Sequence, residues 1–157
     1  MATDEDQFQE EVLKLFAEEG IEWVAQIRAA LQELENGAPP EREPRLYDTV
    51  IRSLTNIMGS AATVDLAALQ KLALAMIPLL QALQHKRLTP QPEHFATIQQ
   101  GLALLASAVQ VLNMAESKTV VVANLESIMQ LQSEHIQRAV SKLQEVAPAP
   151  PKEDAFK

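Results

Sequence analysis

Apolar residues recur along the chain at the spacing of an amphipathic helix. In residues 4–36 they come mostly at steps of three and four, which places them on one face of a helix. The members of this stripe are Phe8, Val12, Leu15, Phe16, Ile21, Val24, Ile27, Leu31 and Leu34. Gly20 lies inside the stripe, so the pattern leaves open whether this segment is one helix or a short helix followed by a longer one.

The same periodicity predicts four further helices. They cover approximately residues 45–62, 63–84, 92–114 and 119–146. Thr63 is predicted to cap the third of the five helices, with Asp65 in its first turn, where the helix dipole favours an anion. Gly- and Pro-containing loops separate the helices at 36–44 and 85–92. Helices of this length with short connections pack as antiparallel neighbours, so we expect an all-α, antiparallel bundle of about five helices.

The C-terminal residues have a different composition. Residues 147–157 read "APAPPKEDAFK", which is rich in proline and charge. This composition is typical of a disordered tail or a linker. We therefore predict one helical domain over residues 1–146, followed by a tail over 147–157.

Composition excludes several classes of function. The chain carries a net charge of −8 and shows no basic stripe, which argues against binding nucleic acid. It has no cysteine, and its histidines (His85, His94 and His135) lie far apart without the spacing of metal ligands. We therefore expect no metal site, no cofactor and no enzymatic activity. The N-terminus is acidic, unlike a signal peptide, and no apolar run approaches the ~20 residues of a membrane span, so we expect a cytoplasmic protein that does not bind a membrane.

The predicted helix over 45–62 has two distinct faces. At about 100° per residue, the positions that point to the core are Leu46, Val50, Leu54, Ile57 and Ala61. The positions on the opposite side are Asp48, Arg52, Thr55 and Gly59. A glycine on an exposed helical face costs about 1 kcal/mol relative to alanine. Gly59 therefore indicates neutral drift at this position, a helix end near residue 60, or a partner that approaches the backbone there.

Residues 51–61, "IRSLTNIMGSA", resemble the signature of the histidine-phosphotransfer (HPt) domain. The version concerned lies at the N-terminus of chemotaxis-type histidine kinases, and its signature reads approximately F-R-x-x-H-T-L-K-G-S-A. Arg52, Gly59, Ser60 and Ala61 match it. Residues 15–35 resemble the family's first helices, residues 87–109 its fourth, and the resemblance spans about residues 8–112. It implies an HPt-like four-helix core and a protein partner from two-component signalling.

The chain departs from the signature where the family carries its chemistry. Thr55 occupies the position of the phospho-accepting histidine, and Met58 that of a nearby lysine. Leu74 and Ile77 correspond to the family's histidine and glutamate in the next helix. A threonine hydroxyl needs a base to become a nucleophile, and loss of the lysine removes a cation that could hold phosphate oxygens. The resemblance is therefore to a degenerate HPt domain.

Our leading hypothesis is a binding domain that does not perform conventional histidine phosphotransfer. Its partner would be a response-regulator receiver domain or a histidine-kinase module. The predicted docking face consists of Arg52, Thr55, Asn56, Met58 and Gly59.

Alternative hypotheses remain open. Thr55 could itself be phosphorylated, or His135 could, because "HIQRA" places a basic residue three positions after it and a small residue four positions after it. The chain could instead be a helical adaptor or an oligomerisation domain unrelated to phosphotransfer. Exposed apolar residues on the fifth helix, such as those in "TVVVANL" at 119–125, would favour this last alternative.

Overall fold

The computed structural model describes residues 3–145 as five α-helices connected by short loops. The helices are α1 (Asp4–Glu35), α2 (Glu43–Thr63), α3 (Ala67–Gln84), α4 (Pro92–Met114) and α5 (Lys118–Glu145). No strand occurs within this range. The predicted all-α bundle of five helices is confirmed, whereas the predicted tail at 147–157 lies outside the described residues.

The helices pack in a closed arrangement in which α5 lies away from α2. Helix α2 packs against α1 and α3, α1 also packs against α4, and α5 lies across α3 and α4. The backbone of α2 does not pack closely against α4 or α5. The two sides of the bundle therefore present different helices to solvent, with α2 and α3 on one side and α4 and α5 on the other.

The core is built almost entirely from aliphatic side chains. All five helices contribute to a single apolar cluster. Its largest fully buried members include Ile27, Leu31, Leu54, Ile57, Leu72, Met76, Leu79, Leu80, Ile98 and Leu102. Close packing of such residues is the main source of stability in a bundle of this kind.

Helix α1 is continuous, because Gly20 serves a packing contact with α4. Gly20 is buried, and a Cβ atom built on it would lie 2.9 Å and 3.1 Å from the two methyl groups of Val109. The glycine therefore allows α1 and α4 to approach closely. The possible division of this segment into two helices is wrong.

The start of α3 differs from the prediction. Thr63 is the last residue of α2, and Asp65 lies in the connecting turn with a left-handed φ of 63°, so neither residue belongs to the first turn of α3. Helix α3 begins at Ala67, and its N-terminus is capped from a distant helix. The Glu126 carboxylate of α5 accepts hydrogen bonds from the Ala68 N–H at 3.0 Å and 3.1 Å. A tertiary contact thus supplies the cap that the local sequence was expected to provide.

A second carboxylate caps α5 from α1. Glu10 accepts hydrogen bonds from the backbone N–H groups of Lys118 and Thr119, each at 2.9 Å. It also accepts bonds from the hydroxyls of Thr119 at 2.7 Å and Ser117 at 2.9 Å. The bonds from Thr119, with those from Lys118 and Ser117, lower the pKa of Glu10 from 4.5 to about 2. Glu10 therefore anchors the N-terminus of α5 to α1.

Helices α3 and α4 are longer apolar stretches than we expected from the sequence. By length and composition alone, both could cross a membrane, with mean hydropathies of 1.2 and 1.4 over their best windows. The expectation that no such stretch exists is therefore wrong. In each window 44% of the residues are buried, and these faces pack into the single core. Core helices of helical bundles commonly have this composition.

Candidate docking face

Helix α2 presents the two faces that its periodicity predicted. Its inward positions, Leu46, Val50, Leu54, Ile57 and Ala61, are all buried. On the outward side Arg52, Thr55, Asn56 and Gly59 are exposed, and Met58 is partly buried. The predicted orientation of Thr55 is therefore confirmed, while its role in docking stays a prediction. We call Arg52, Thr55, Asn56, Met58 and Gly59 the docking face.

The hydroxyl of Thr55 is engaged by its own helix. It donates a hydrogen bond to the carbonyl oxygen of Ile51, one turn earlier, at 2.7 Å. Threonines within helices often form this bond. In the part of the chain that the structure describes, no carboxylate or imidazole accepts a hydrogen bond from this hydroxyl. Thr55 therefore has no base in position to activate it as a nucleophile.

Gly59 lies within the helix and faces open space. Helix α2 continues past it to Thr63, whose hydroxyl donates to the Gly59 carbonyl at 3.1 Å. The suggestion that the helix ends near residue 60 is therefore wrong. A Cβ atom built on Gly59 would meet nothing within 4 Å. Packing inside this chain thus gives no reason for a glycine, in contrast to Gly20.

Helix α3 contributes apolar side chains at the level of the docking face. The Gln84 side chain donates to the Asp48 carboxylate at 2.7 Å, which fixes the register of the α2–α3 hairpin. Counting from this pair towards the turn places Ile77 level with Thr55 and Leu74 level with Met58. Leu74 is 53% exposed and Ile77 is partly buried. The sequence identified these two residues only by their correspondence to the family, and their exposure could not be read from the apolar pattern of α3.

The docking face carries one cation, Arg52. The ion pairs within residues 3–145 join Arg42 to Glu33 at 2.8 Å and Lys86 to Glu43 at 3.6 Å, and neither involves Arg52. The Arg52 guanidinium is exposed and lies one turn before Thr55. It is therefore available for a carboxylate or a phosphate of a partner.

The structure brings no histidine to the docking face. Helix α2 contains none, and His85 lies at the C-terminal end of α3. His94 is buried at the start of α4, where its Nδ1 accepts a hydrogen bond from the Gln91 N–H at 3.0 Å. His135 is on α5, whose backbone does not pack closely against α2. In the described range no three His, Cys, Asp or Glu side chains are grouped to hold a metal ion.

His135 lies on a different surface, beside a groove between α4 and α5. It is exposed, and Arg138 lines the same groove of about 580 Å³. The groove is lined by Gln100, Ala103, Leu104, Ser107, Leu131, Gln132, His135, Ile136 and Arg138. The spacing noted in "HIQRA" therefore places His135 and Arg138 side by side. Phosphorylation of His135 stays a prediction.

Comparison with known families gives one match. The family model of the Hpt domain matches residues 11–108, which run from the early turns of α1 into the last third of α4. The matched range covers more than half of the chain and contains the whole docking face, whereas α5 lies outside it. Neither the curated proteins nor the solved structures include a significant match.

Proposed function

The chain belongs to the Hpt domain family, a family of phosphotransfer-type domains in two-component signalling, and from this premise we propose that it binds a signalling partner without conventional histidine phosphotransfer. The partner in this proposal is a response-regulator receiver domain or a histidine-kinase module. It binds across the outer face of α2, with Arg52, Thr55, Asn56, Met58 and Gly59 in the contact.

One observation carries the proposal: Thr55 is exposed in the middle of α2, but its hydroxyl is bonded to the helix backbone. In the family signature this position carries the nucleophilic imidazole. The threonine lacks both that nitrogen and a neighbouring base, so the reaction loses its acceptor. The surface around it nevertheless keeps the accessibility that a docked partner requires.

The docking face offers a partner three kinds of contact. Met58, with Leu74 and Ile77 at the same levels of α3, supplies adaptable or partly exposed apolar surface. Gly59 leaves the helix backbone uncovered, so a partner's side chains can approach it closely. Arg52 supplies a charge at the edge, which mainly affects the association rate and the salt dependence of binding.

Substitution at Gly59 tests the docking face directly. The experiment is calorimetric titration of the chain against a panel of purified receiver domains from the same organism. Gly59→Glu adds bulk and charge where the structure has open space, so it should weaken binding at least about tenfold, or about 1.4 kcal/mol. The helical circular dichroism signal and the Tm should stay nearly unchanged. Arg52→Ala should weaken binding less and reduce its salt dependence.

Two controls make the titration decisive. Gly59→Ala introduces only a methyl group at the same position and should bind more tightly than Gly59→Glu. Leu131→Glu, on α5 and outside the docking face, should bind a monomeric receiver domain like the unsubstituted chain. The docking face is misplaced if Gly59→Glu binds normally while Leu131→Glu abolishes binding.

Phosphorylation is tested separately, with a histidine kinase from the same organism and radiolabelled ATP. We expect no acid-labile label, because the docking face has no imidazole. Acid-labile label that disappears in His135→Ala would contradict this expectation and would identify His135 as the acceptor. Acid-stable label that disappears in Thr55→Val would instead support the alternative in which Thr55 is phosphorylated.

A further inference from the structure

Large apolar side chains are exposed on the outer surface of the α4–α5 hairpin. Five residues there are between 47% and 73% exposed: Val111, Met114, Val120, Ile128 and Leu131. Helix α4 adds a surface without charge, since no Asp, Glu, Lys or Arg occurs from residue 94 to residue 115. Depletion of charge around exposed apolar residues is characteristic of the centre of a protein interface.

Helix α5 has two faces, and only one is used inside the chain. Its buried residues are Leu125, Met129, Ser133, Ile136 and Val140, which pack on α3 and α4. A second stripe, spaced at steps of three and four, runs along the opposite side. It consists of Val120, Asn124, Ile128, Leu131, His135, Arg138 and Lys142, all exposed. We call this stripe the outer seam of α5, and its spacing is that of helices that pack along their length.

We propose that the outer seam binds a second copy of this chain, with the two α5 helices antiparallel across a two-fold axis at Leu131. In this arrangement each residue faces the one equally far from Leu131 on the other side. Arg138 then faces Asn124 of the second copy, whose side-chain carbonyl can accept a hydrogen bond from the guanidinium. Lys142 faces Val120, over which its aliphatic stem can lie.

The charge distribution selects this orientation. The cations of the outer seam, Arg138 and Lys142, both lie in its C-terminal half, whereas its N-terminal half is uncharged. A parallel pair would place Arg138 beside Arg138 of the second copy and Lys142 beside its Lys142, so that like charges would repel each other. The antiparallel pair places Arg138 and Lys142 each beside an uncharged residue of the seam, which avoids the like-charge contacts of a parallel pair.

The shape and size of the surface also fit a dimer. The groove of about 580 Å³ between α4 and α5 has Leu104, Leu131 and Ile136 among its lining residues, so the apolar surface at the axis continues from α5 onto α4. Helices α5 and α4 have 28 and 23 residues, so they are about 42 Å and 35 Å long. At about 10 Å of width each they offer roughly 770 Å², close to the ~800 Å² per partner of a stable interface.

The oligomeric state tests the proposal. In a concentration series followed by sedimentation velocity, the chain should be a dimer that dissociates on dilution. Leu131→Glu places two carboxylates against each other on the axis, so it should raise the dimer Kd at least about tenfold. Leu15→Glu is the matched control, because Leu15 is also an exposed leucine but lies on α1, outside both the docking face and the outer seam. It should leave the Kd unchanged.

A monomer at all concentrations up to millimolar would overturn the proposal, as would equal effects of Leu131→Glu and Leu15→Glu. Circular dichroism of both variants shows whether the helical fold is retained. Neither outcome bears on receiver binding through α2, so this inference stands or fails independently of the proposed function.

Distances between spin labels test the orientation. The chain has no cysteine, so Ser127→Cys and Ser141→Cys each carry a single label on the exposed side of α5, flanking the outer seam. In an antiparallel pair about Leu131, the labels of the two copies should be offset along the helix axis by about 12 Å at position 127 and by about 30 Å at position 141. Equal distances at the two positions would indicate a parallel pair and would refute the arrangement.

Discussion

Replacing Gly59 and Gly20 by alanine should change the free energy of unfolding in opposite directions. Both glycines lie inside helices, where alanine is favoured over glycine by about 0.8–1.0 kcal/mol. A Cβ atom at Gly59 meets nothing within 4 Å. Gly59→Ala should therefore keep the helical gain and raise the free energy of unfolding by about 0.5–1 kcal/mol.

At Gly20 the same gain is opposed by overpacking. The new Cβ would lie 2.9 Å from Cγ2 and 3.1 Å from Cγ1 of Val109. A valine is stiff at χ1 and has no flexible end to move aside, so α1 and α4 must separate slightly. Overpacking of this kind costs about 1–3 kcal/mol. After subtraction of the helical gain, Gly20→Ala should lower the free energy of unfolding by up to about 2 kcal/mol.

The assay is urea unfolding at pH 7, followed by helical circular dichroism. The two variants should differ by about 0.5–3 kcal/mol, which at roughly 2–4 °C per kcal/mol is also visible in Tm. Gly101→Ala is an intermediate case, because its Cβ would meet the Sδ atom of Met76 at 2.5 Å and methionine has a flexible end. A higher free energy of unfolding for Gly20→Ala, or a lower one for Gly59→Ala, would contradict the argument that the space around each Cβ atom decides the outcome.

Two further predictions concern titration. Glu10→Gln should lower the free energy of unfolding at pH 7 by about 1 kcal/mol, because it weakens the cap of α5. The control Glu11→Gln, at an exposed neighbouring position, should leave the free energy of unfolding unchanged. The pKa of Glu10 falls from 4.5 to about 2 on folding, so its contribution to the free energy of unfolding is complete above pH 4.5 and is lost towards pH 2. A difference in stability between Glu10→Gln and the unsubstituted chain that persists at pH 2 would contradict this. Burial, with the nearby charge of Glu43, raises the pKa of the single tyrosine, Tyr47, from 10.0 to about 12. The ultraviolet titration of Tyr47 should therefore shift to higher pH on folding, and the free energy of unfolding should fall as the pH rises from 10 towards 12. Ionisation of Tyr47 near pH 10 in the folded chain would contradict this prediction.

The faces of α2 were predictable because they follow from the helical period alone. An apolar stripe fixes which side of a helix is buried, and it thereby fixes the opposite side as well. The exposure of Thr55 and Gly59 followed in this way from Leu54 and Ile57. The family resemblance added the interpretation of Thr55, which periodicity cannot supply.

The caps and the close helix contacts were not predictable in the same way. Glu10 and the residues that it caps are more than 100 positions apart, and Glu126 and Ala68 are 58 apart. A local capping rule therefore predicts the cap of α3 at Thr63, whereas in the structure the distant Glu126 supplies it. The role of Gly20 has a similar basis, since it depends on packing against Val109 of α4, and the apolar pattern does not show which residues of two helices pack together.

The docking face and the outer seam lie on helices whose backbones do not pack closely against each other. A dimer formed through the outer seam of α5 would therefore leave the docking face of each copy uncovered. Such a dimer would present two docking faces related by the two-fold axis. A dimeric kinase or receiver could then engage both faces, and the second contact would be intramolecular, with a high effective concentration. Leu131→Glu should accordingly leave the affinity for a monomeric receiver unchanged and should weaken binding of a dimeric partner. Equal affinities of the unsubstituted chain and Leu131→Glu for a dimeric partner would show that the two surfaces do not act together.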